Sequence, residues 1–311
     1  MQGRRVAVTG LGVVASCGSG AEAFWAGLLS SPAPGLREMA DFDPAPFFDN
    51  PKEARRADRF TQFALAAAAQ ALEQAGDFSV DPSRIGVFVG TGIGGISTLE
   101  EQIAIRLEKG ERRVSPFLVP MMMPNAAPAA ISMRYGFQGP CENTVTACAA
   151  GTQSIGNGAR LVATGRCDVV VAGGSEAAIT PTSLAGFSNM TALSKSGVSC
   201  PFSAGRDGFV MAEGSAIVVL EDWDTALARG ATILGEVLGA ASTADAHHIT
   251  APAPDGSGAV SCMELALADA GLSPTDIVQI NAHGTSTDLN DAAEAAAVVK
   301  VFGSPGPAVT S

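Results

Sequence analysis

Short apolar runs alternate along the chain with segments whose apolar residues recur every three or four positions. Val6-Ala-Val-Thr-Gly10 reads as a short buried strand ending at glycine. Ala21 to Leu29 has helical spacing, with Phe24, Trp25 and Leu28 on one side. Residues 31–50 are proline-rich and read as loop. A helix begins at Asp58, where Phe60, Phe63, Ala64 and Ala67 follow the i, i+3, i+4, i+7 pattern, and it ends before Gly76. Ile85 to Gly90 predicts a strand and Leu99 to Lys109 a helix. Cys141 to Thr146 is strand-like, and Ala149 to Thr164 is a helix of small residues. Strands follow at Asp168 to Ala172 and Ala216 to Leu220, then a short helix at Ala226 to Gly230. A second series then starts: strand Ile233 to Leu238, helix Gly258 to Ala270, strand Ile277 to Asn281, helix Asp288 to Val301, and a strand from Ala308 to Ser311.

This alternation predicts an α/β fold with parallel sheets covered on both faces. The restart predicts two similar halves, residues 1–230 and 231–311, which share element order but not sequence.

Composition narrows the function classes. Of 311 residues, 47% are hydrophobic and 16% charged, which excludes a largely disordered chain. Aromatic residues make up only 5%, so the core is built from Ala, Val, Leu and Ile. Thirty-one acidic and 19 basic side chains give a net charge of −12. A field of that sign repels nucleic acid and anionic membrane, so neither is expected as a partner. No apolar run reaches the ~20 residues of a membrane helix, and Met1 to Arg5 runs into a strand-like segment instead of a signal-peptide core. The six cysteines (Cys17, Cys141, Cys148, Cys167, Cys200 and Cys262) form no C-x-x-C pair. A soluble cytoplasmic protein with reduced thiols is expected.

Chemistry concentrates in two segments. In Thr144-Val-Thr-Ala-Cys148-Ala-Ala-Gly151, a strand ends, the chain turns, and a small-residue helix opens with a cysteine at its mouth. The positive end of the helix dipole favours thiolate there, and the free N–H groups could stabilise an oxyanion on an attacked thioester. A buried structural cysteine is the commoner fate of a free thiol, so the local pattern leaves both readings open. In Ile280-Asn-Ala-His283-Gly-Thr285-Ser-Thr287-Asp288, a histidine lies just past a strand, where ligands of parallel sheets gather. It is placed to polarise or protonate a substrate, or to satisfy a turn.

Other segments imitate motifs. His247 and His248 are adjacent and have no zinc-spaced partner, so no metal site is expected. Gly10-Leu-Gly12 and Gly90-Thr-Gly92-Ile93-Gly94-Gly95 resemble dinucleotide loops, but neither leads to a second strand ending in an acid. Gly173-Gly-Ser175-Glu176 lacks the second glycine of a nucleophile elbow. Arg55, Arg56 and Arg59, then Arg112 and Arg113, and Arg206 elsewhere, either mark the docking site of an acidic partner or are ordinary solvated faces.

Taken in order, six segments resemble the beta-ketoacyl-acyl carrier protein synthases, most closely the synthase II type, within the thiolase superfamily. They are Val6-Ala-Val-Thr-Gly-Leu-Gly12, Gly90-Thr-Gly-Ile-Gly-Gly95, Thr146-Ala-Cys148-Ala-Ala-Gly-Thr152, Val171-Ala-Gly-Gly-Ser-Glu176, Pro201-Phe-Ser-Ala-Gly-Arg-Asp-Gly-Phe209 and Asn281-Ala-His-Gly-Thr-Ser-Thr287. The resemblance implies a thiolase-like fold of two similar halves, each with a five-stranded mixed sheet, and helices in layers. It implies that Cys148 takes an acyl group as a thioester, and that His283 is one of two histidines acting on the malonyl thioester. Thr285 and Thr287 would hydrogen-bond the phosphopantetheine arm that arrives on acyl carrier protein, and the protein itself binds no cofactor. Ile93 would line the acyl pocket, and Arg55, Arg56, Arg59, Arg112, Arg113 and Arg206 would meet the acidic carrier. A homodimer through the edge strand at about Cys141 to Thr144 is implied as well.

The resemblance also carries an expectation about the C-terminus. In the family, a Thr-Lys-Ser turn, a Gly-His-x-x-Gly-Ala helix and a Gly-Phe-Gly-Gly-Thr-Asn loop follow the strand that here begins at Ala308. The chain is therefore expected to be C-terminally truncated, with an incomplete second half and impaired condensation. The expected activity is decarboxylative Claisen condensation of an acyl thioester on Cys148 with malonyl-acyl carrier protein in fatty acid elongation. The alternatives are a type II polyketide ketosynthase, or a catalytically incomplete remnant that at most binds acyl carrier protein.

Overall fold

The computed structural model describes residues 1–31 and 34–311. Pro32 and Ala33, part of the proline-rich loop, lie outside the described residues. The strands are β1 (Val6–Ala15), β2 (Gly18–Ser19), β3 (Ile85–Gly90), β4 (Cys141–Glu142), β5 (Val169–Glu176), β6 (Gly214–Asp222), β7 (Gly235–Glu236), β8 (Gln279–Asn281) and β9 (Ala308–Thr310). The helices are α1 (Ala21–Leu28), α2 (Pro51–Ala54), α3 (Arg59–Ala75), α4 (Ile96–Lys109), α5 (Leu118–Met122), α6 (Ala126–Tyr135), α7 (Ala150–Ala163), α8 (Pro181–Asn189), α9 (Trp223–Ala228), α10 (Ser257–Ala270) and α11 (Asp288–Phe302).

The main sheet runs β2-β1-β6-β5-β3-β4, with β7 paired to β1. It is mixed, which corrects the expectation of parallel sheets read from element alternation alone. β3 pairs in parallel with β4 and β5, whereas β6 lies antiparallel to both β1 and β5. β5 explains why its apolar run is continuous. Val169 and Val171 face the cluster around Phe60, Phe63 and Ala64 of α3, while Val170 and Ala172 face Ala159 and Val162 of α7. Alternate side chains thus serve opposite layers, and both faces of the strand are dry.

Asp58 starts α3 by accepting from the N–H of Phe60 at 3.2 Å. Gly76, at φ +75°, ends it. The glycines of β1 are explained by this helix. A Cβ on Gly10 or Gly12 would stand 2.0 Å from the carbonyl oxygen of Ala71 or Ala67. The dinucleotide-like spacing is therefore a strand lying close under a helix.

Several boundaries differ from the sequence reading. β1 continues to Ala15, because glycine within a strand marks close packing here and not a strand end. Of Cys141 to Thr146, only two residues pair. Ile233 to Leu238 contributes only β7, which joins the first sheet. The predicted apolar side of α1 is not buried: Trp25 is 63% exposed and Leu28 53%. The second half contributes β8 and β9, a parallel pair, with α10 and α11 packed together.

Candidate active site

Cys148 sits where the chain leaves β4 and enters α7. Ala147, immediately before it, holds φ +50°, a left-handed conformation that strains a residue with a Cβ. The turn closes through N–H groups of Ala149 and Ala150 on the carbonyls of Thr146 and Ala147, both at 3.1 Å. Helix and sheet approach closely because both sides lack Cβ atoms. A Cβ on Gly90 would lie 2.3 Å from the carbonyl oxygen of Ala150, and one on Gly151 3.3 Å from the Cα of Gly174. These glycines place the mouth of α7, and the thiol at it, directly over the strand ends. Cys148 is exposed to solvent at that position.

His283 lies two residues past β8 on a turn held by acids of α11. The N–H groups of His283 and Gly284 donate to the two oxygens of Glu294, at 2.7 and 2.8 Å. Asp291, 2% exposed, accepts from Ser286 N at 3.1 Å and from Phe202 N at 2.8 Å. Ser286 is itself buried at φ +62°, and its side chain accepts from Cys200 N at 3.0 Å. The histidine turn is thus fastened to the loop that leads into β6. That attachment carries His283 from the second half to Cys148.

The two side chains perturb one another. Hydrogen bonding to His283 lowers the Cys148 thiol pKa, against the opposing effect of partial desolvation by the surrounding protein. The same hydrogen bond raises the imidazole above its ordinary value, again against partial desolvation. Both shifts favour a thiolate–imidazolium pair, and the dipole of α7 adds in the same direction. A nearby carboxylate, Glu176, raises the thiol slightly.

Cys148 opens on a cavity of about 640 Å³, lined also by Ile93, Phe187, Phe209, Val210 and Met211, among others. Its walls are predominantly apolar, which suits an aliphatic chain attached at the thiol. Glu176 at the end of β5 accepts from Gly92 N at 2.7 Å, Ile93 N at 3.2 Å and Thr91 Oγ1 at 3.1 Å. Burial pushes its carboxyl up. The glycine-rich turn after β3 therefore spends its N–H groups on a carboxylate of this chain. Ser175, beside it, is buried and donates to the carbonyl of Phe60 at 2.6 Å.

The other predicted residues separate into groups. The hydroxyls of Thr285 and Thr287 meet at 2.8 Å on the His283 turn. Arg55, Arg56, Arg112 and Arg113 are exposed. The Arg56 guanidinium lies 4.4 Å over the ring of Phe117, in the segment that follows Arg112 and Arg113. Arg59 is turned inward, bound by Glu213 at 2.6 Å and by the carbonyl of Met39. Arg206 is held by Asp288 at 3.4 Å, Asp291 at 3.7 Å and the carbonyl of Ser203. His248 accepts from Ala251 N at 3.1 Å, closing its own loop.

Sequence reading missed Glu176, Asp291 and Glu294. A signal existed for the last two. Asp288, Asp291 and Glu294 recur at intervals of three from the start of a helix that follows the histidine turn, where acids face unpaired N–H groups.

Residues 31–226 match the model of the beta-ketoacyl synthase N-terminal domain, and residues 234–311 that of the C-terminal domain. The chain is 45% identical to 3-oxoacyl-[acyl-carrier-protein] synthase 2 of Synechocystis sp., over 97% of this chain and 78% of that protein. Among solved structures it is similar to the ishigamide ketosynthase/chain length factor, with TM-score 0.92 and 33% identity over 99% of this chain and 80% of that one. It is also similar to a type II PKS ketosynthase solved with its acyl-carrier protein and bound to the hexaketide, with TM-score 0.88 and 32% identity over 99% of this chain and 80% of that one. With its thiol–imidazole pair and apolar cavity, the chain belongs to the beta-ketoacyl synthase family, on a thiolase-like fold.

Proposed function

We propose that the chain is an acyltransferase of the 3-oxoacyl-acyl carrier protein synthase type, acting in fatty acid elongation. The Cys148–His283 pair beside an apolar cavity carries this reading. The thiolate of Cys148 attacks the thioester carbonyl of an acyl donor. A new sulfur–carbonyl bond forms, the bond to the donor sulfur breaks, and the donor thiolate leaves and takes up a proton. The donor sulfur belongs to a phosphopantetheine arm delivered by acyl carrier protein, with Thr285 and Thr287 as hydrogen-bonding partners. In the second half-reaction, malonyl thioester loses CO₂, and the resulting enolate carbon attacks the acyl carbonyl on Cys148. His283 then donates a hydrogen bond to the malonyl carbonyl oxygen where negative charge develops. Carbon–carbon bond formation releases Cys148 as thiolate.

The carrier docks on Arg55, Arg56, Arg112 and Arg113, a basic surface on a protein of net charge −12. β4 is the unpaired end of the main sheet, and this edge supports a homodimer through residues 141–144. Six free cysteines among the described residues support a reducing, cytoplasmic setting.

The test is two-step. Intact mass after incubation with acyl-acyl carrier protein is expected to show one acyl group on Cys148, and none on a Cys148→Ala variant. Malonyl-acyl carrier protein is then expected to give CO₂ and the 3-oxoacyl product. Acylation without CO₂ release would support the remnant reading instead. A second reading, a type II polyketide ketosynthase, is favoured by the two ketosynthase structures above. The higher identity to the fatty acid enzyme places it second. Successive condensations without intervening reduction would reverse that order.

A further inference from the structure

Glu176 has no part in the chemistry above, yet its carboxylate stands at the wall of the acyl cavity. All four residues from Thr91 to Gly94 depend on it. One carboxylate oxygen accepts from the N–H groups of Gly92 and Ile93, and the other from the hydroxyl of Thr91. The Thr91 hydroxyl in turn accepts from Gly94 N at 3.0 Å. The next residue along β5's exit, Ala177, accepts from the hydroxyl of Ser97 at 3.1 Å, so the start of α4 is tied to the same strand end. Gly92 is in reach because it lacks a side chain: a Cβ there would come 2.9 Å from the Glu176 oxygen. The side chain on this tethered turn is Ile93, 40% exposed, which lines the cavity together with Cys148.

We propose that Glu176 is a positioning residue for acyl-chain selection, whose carboxylate clamps the 91–94 turn and so fixes Ile93 as a wall of the cavity that opens at Cys148. Removing the clamp frees the turn, Ile93 retreats, and longer chains gain access. The inference rests on the acyltransferase reading, and it separates from general stability because it concerns a ratio between substrates.

The experiment uses the full chain and three thioesters of N-acetylcysteamine, carrying butanoyl, octanoyl and dodecanoyl groups. Rates of Cys148 acylation are followed by intact mass, with iodoacetamide alkylation as a measure of the thiol itself. In Glu176→Ala the dodecanoyl-to-butanoyl rate ratio is expected to rise roughly tenfold, the scale on which pockets discriminate small changes in apolar length. Loss of the Glu176 charge eases ionisation of the thiol, so alkylation is read at a pH above the thiol midpoint, where it stays within about twofold of the unsubstituted chain. Glu176→Gln, which keeps one acceptor oxygen, shifts the ratio less and in the same direction. Gly92→Ala, which presses on the clamp from the turn side, shifts it that way too and carries the test if Glu176→Ala fails to fold. In an Ile93→Ala background the Glu176→Ala effect on the ratio disappears, because the wall it positions is gone. An unchanged or falling ratio in the folded variants overturns the inference, as does a full effect without Ile93. Absence of any acylation in the unsubstituted chain overturns the function reading and the inference with it.

Discussion

The thiol of Cys148 and the imidazole of His283 meet although they stand on different sheets, one at the mouth of α7 and the other just past β8. Each shifts the other's protonation toward the charged pair. The chain achieves this by fastening the histidine turn to the loop before β6 through Asp291 and Ser286. The meeting is therefore a property of packing between the halves and not of either segment alone.

A pH profile of thiol reactivity tests the pairing. With the Cys148 pKa lowered, iodoacetamide alkylation persists below the ordinary thiol range and falls only as pH drops through the lowered value. His283→Ala removes the main cause of the shift, so the thiol returns toward the ordinary thiol range. The alkylation rate at pH 7 then falls, because less of the thiol is ionised there. The midpoint of the profile moves up. An unmoved midpoint would show that the helix mouth alone governs the thiol.

Close approach of α7 to the sheet sets where that thiol stands. Gly90→Ala puts a Cβ into the carbonyl of Ala150, where no side chain can yield. Overpacking of this kind costs about 1–3 kcal/mol, read as a lower urea midpoint. Acylation of Cys148 is expected to fall further than that destabilisation explains, because the backbone that shifts carries its thiol. Gly110→Ala is the contrast. A Cβ there meets nothing, so only its positive φ is disturbed, and acylation by the folded protein is expected to be unchanged.

The sequence made the core elements legible where one period dominated. The Phe60, Phe63, Ala64, Ala67 spacing marks the buried face of α3, and β3, β5 and β6 appear as apolar runs. Cys148 and His283 were legible from strand–turn–helix and strand–turn contexts. Strand direction was not, since a run buried on both faces reads the same whether its neighbour is parallel or antiparallel. Nor were α5, α6 and α8. Leu118–Met122 and Pro181–Asn189 are short, and Pro120 and Pro128 interrupt the helical pattern of α5 and α6. The roles of Glu176 and Arg59 depend on partners far along the chain: Gly92 and Ile93 for one, Glu213 for the other.

Asp291 is the keystone of the histidine turn. Asp291→Ala leaves the N–H groups of Ser286 and Phe202 without their acceptor, each a loss of about 1–3 kcal/mol where the group stays buried. It also removes an ionic partner of Arg206. Asp291→Asn keeps one acceptor oxygen and is expected to lose less. Denaturant unfolding should rank the proteins unsubstituted, Asn, Ala. The His283 effect on the thiol profile should fade in the same order, which distinguishes loss of the turn from loss of stability elsewhere.

The six arginines divide by environment, and so do their expected effects. Arg59 holds Glu213, which is 7% exposed, so Arg59→Ala leaves a buried charge unpaired and destabilises the fold by roughly 3 kcal/mol. Arg112 and Arg113 have exposed side chains, in the segment that leads to Phe117, over whose ring Arg56 lies. Reversing both to Glu leaves the fold and the cavity untouched but turns an attractive rim repulsive toward an acidic carrier. Acylation from acyl-acyl carrier protein is expected to fall roughly tenfold through KM, with a weaker dependence on salt. Acylation from N-acetylcysteamine thioesters, which have no carrier to dock, is expected to hold. Equal loss with both donors would remove these arginines from the docking surface and return them to the role of ordinary solvated side chains.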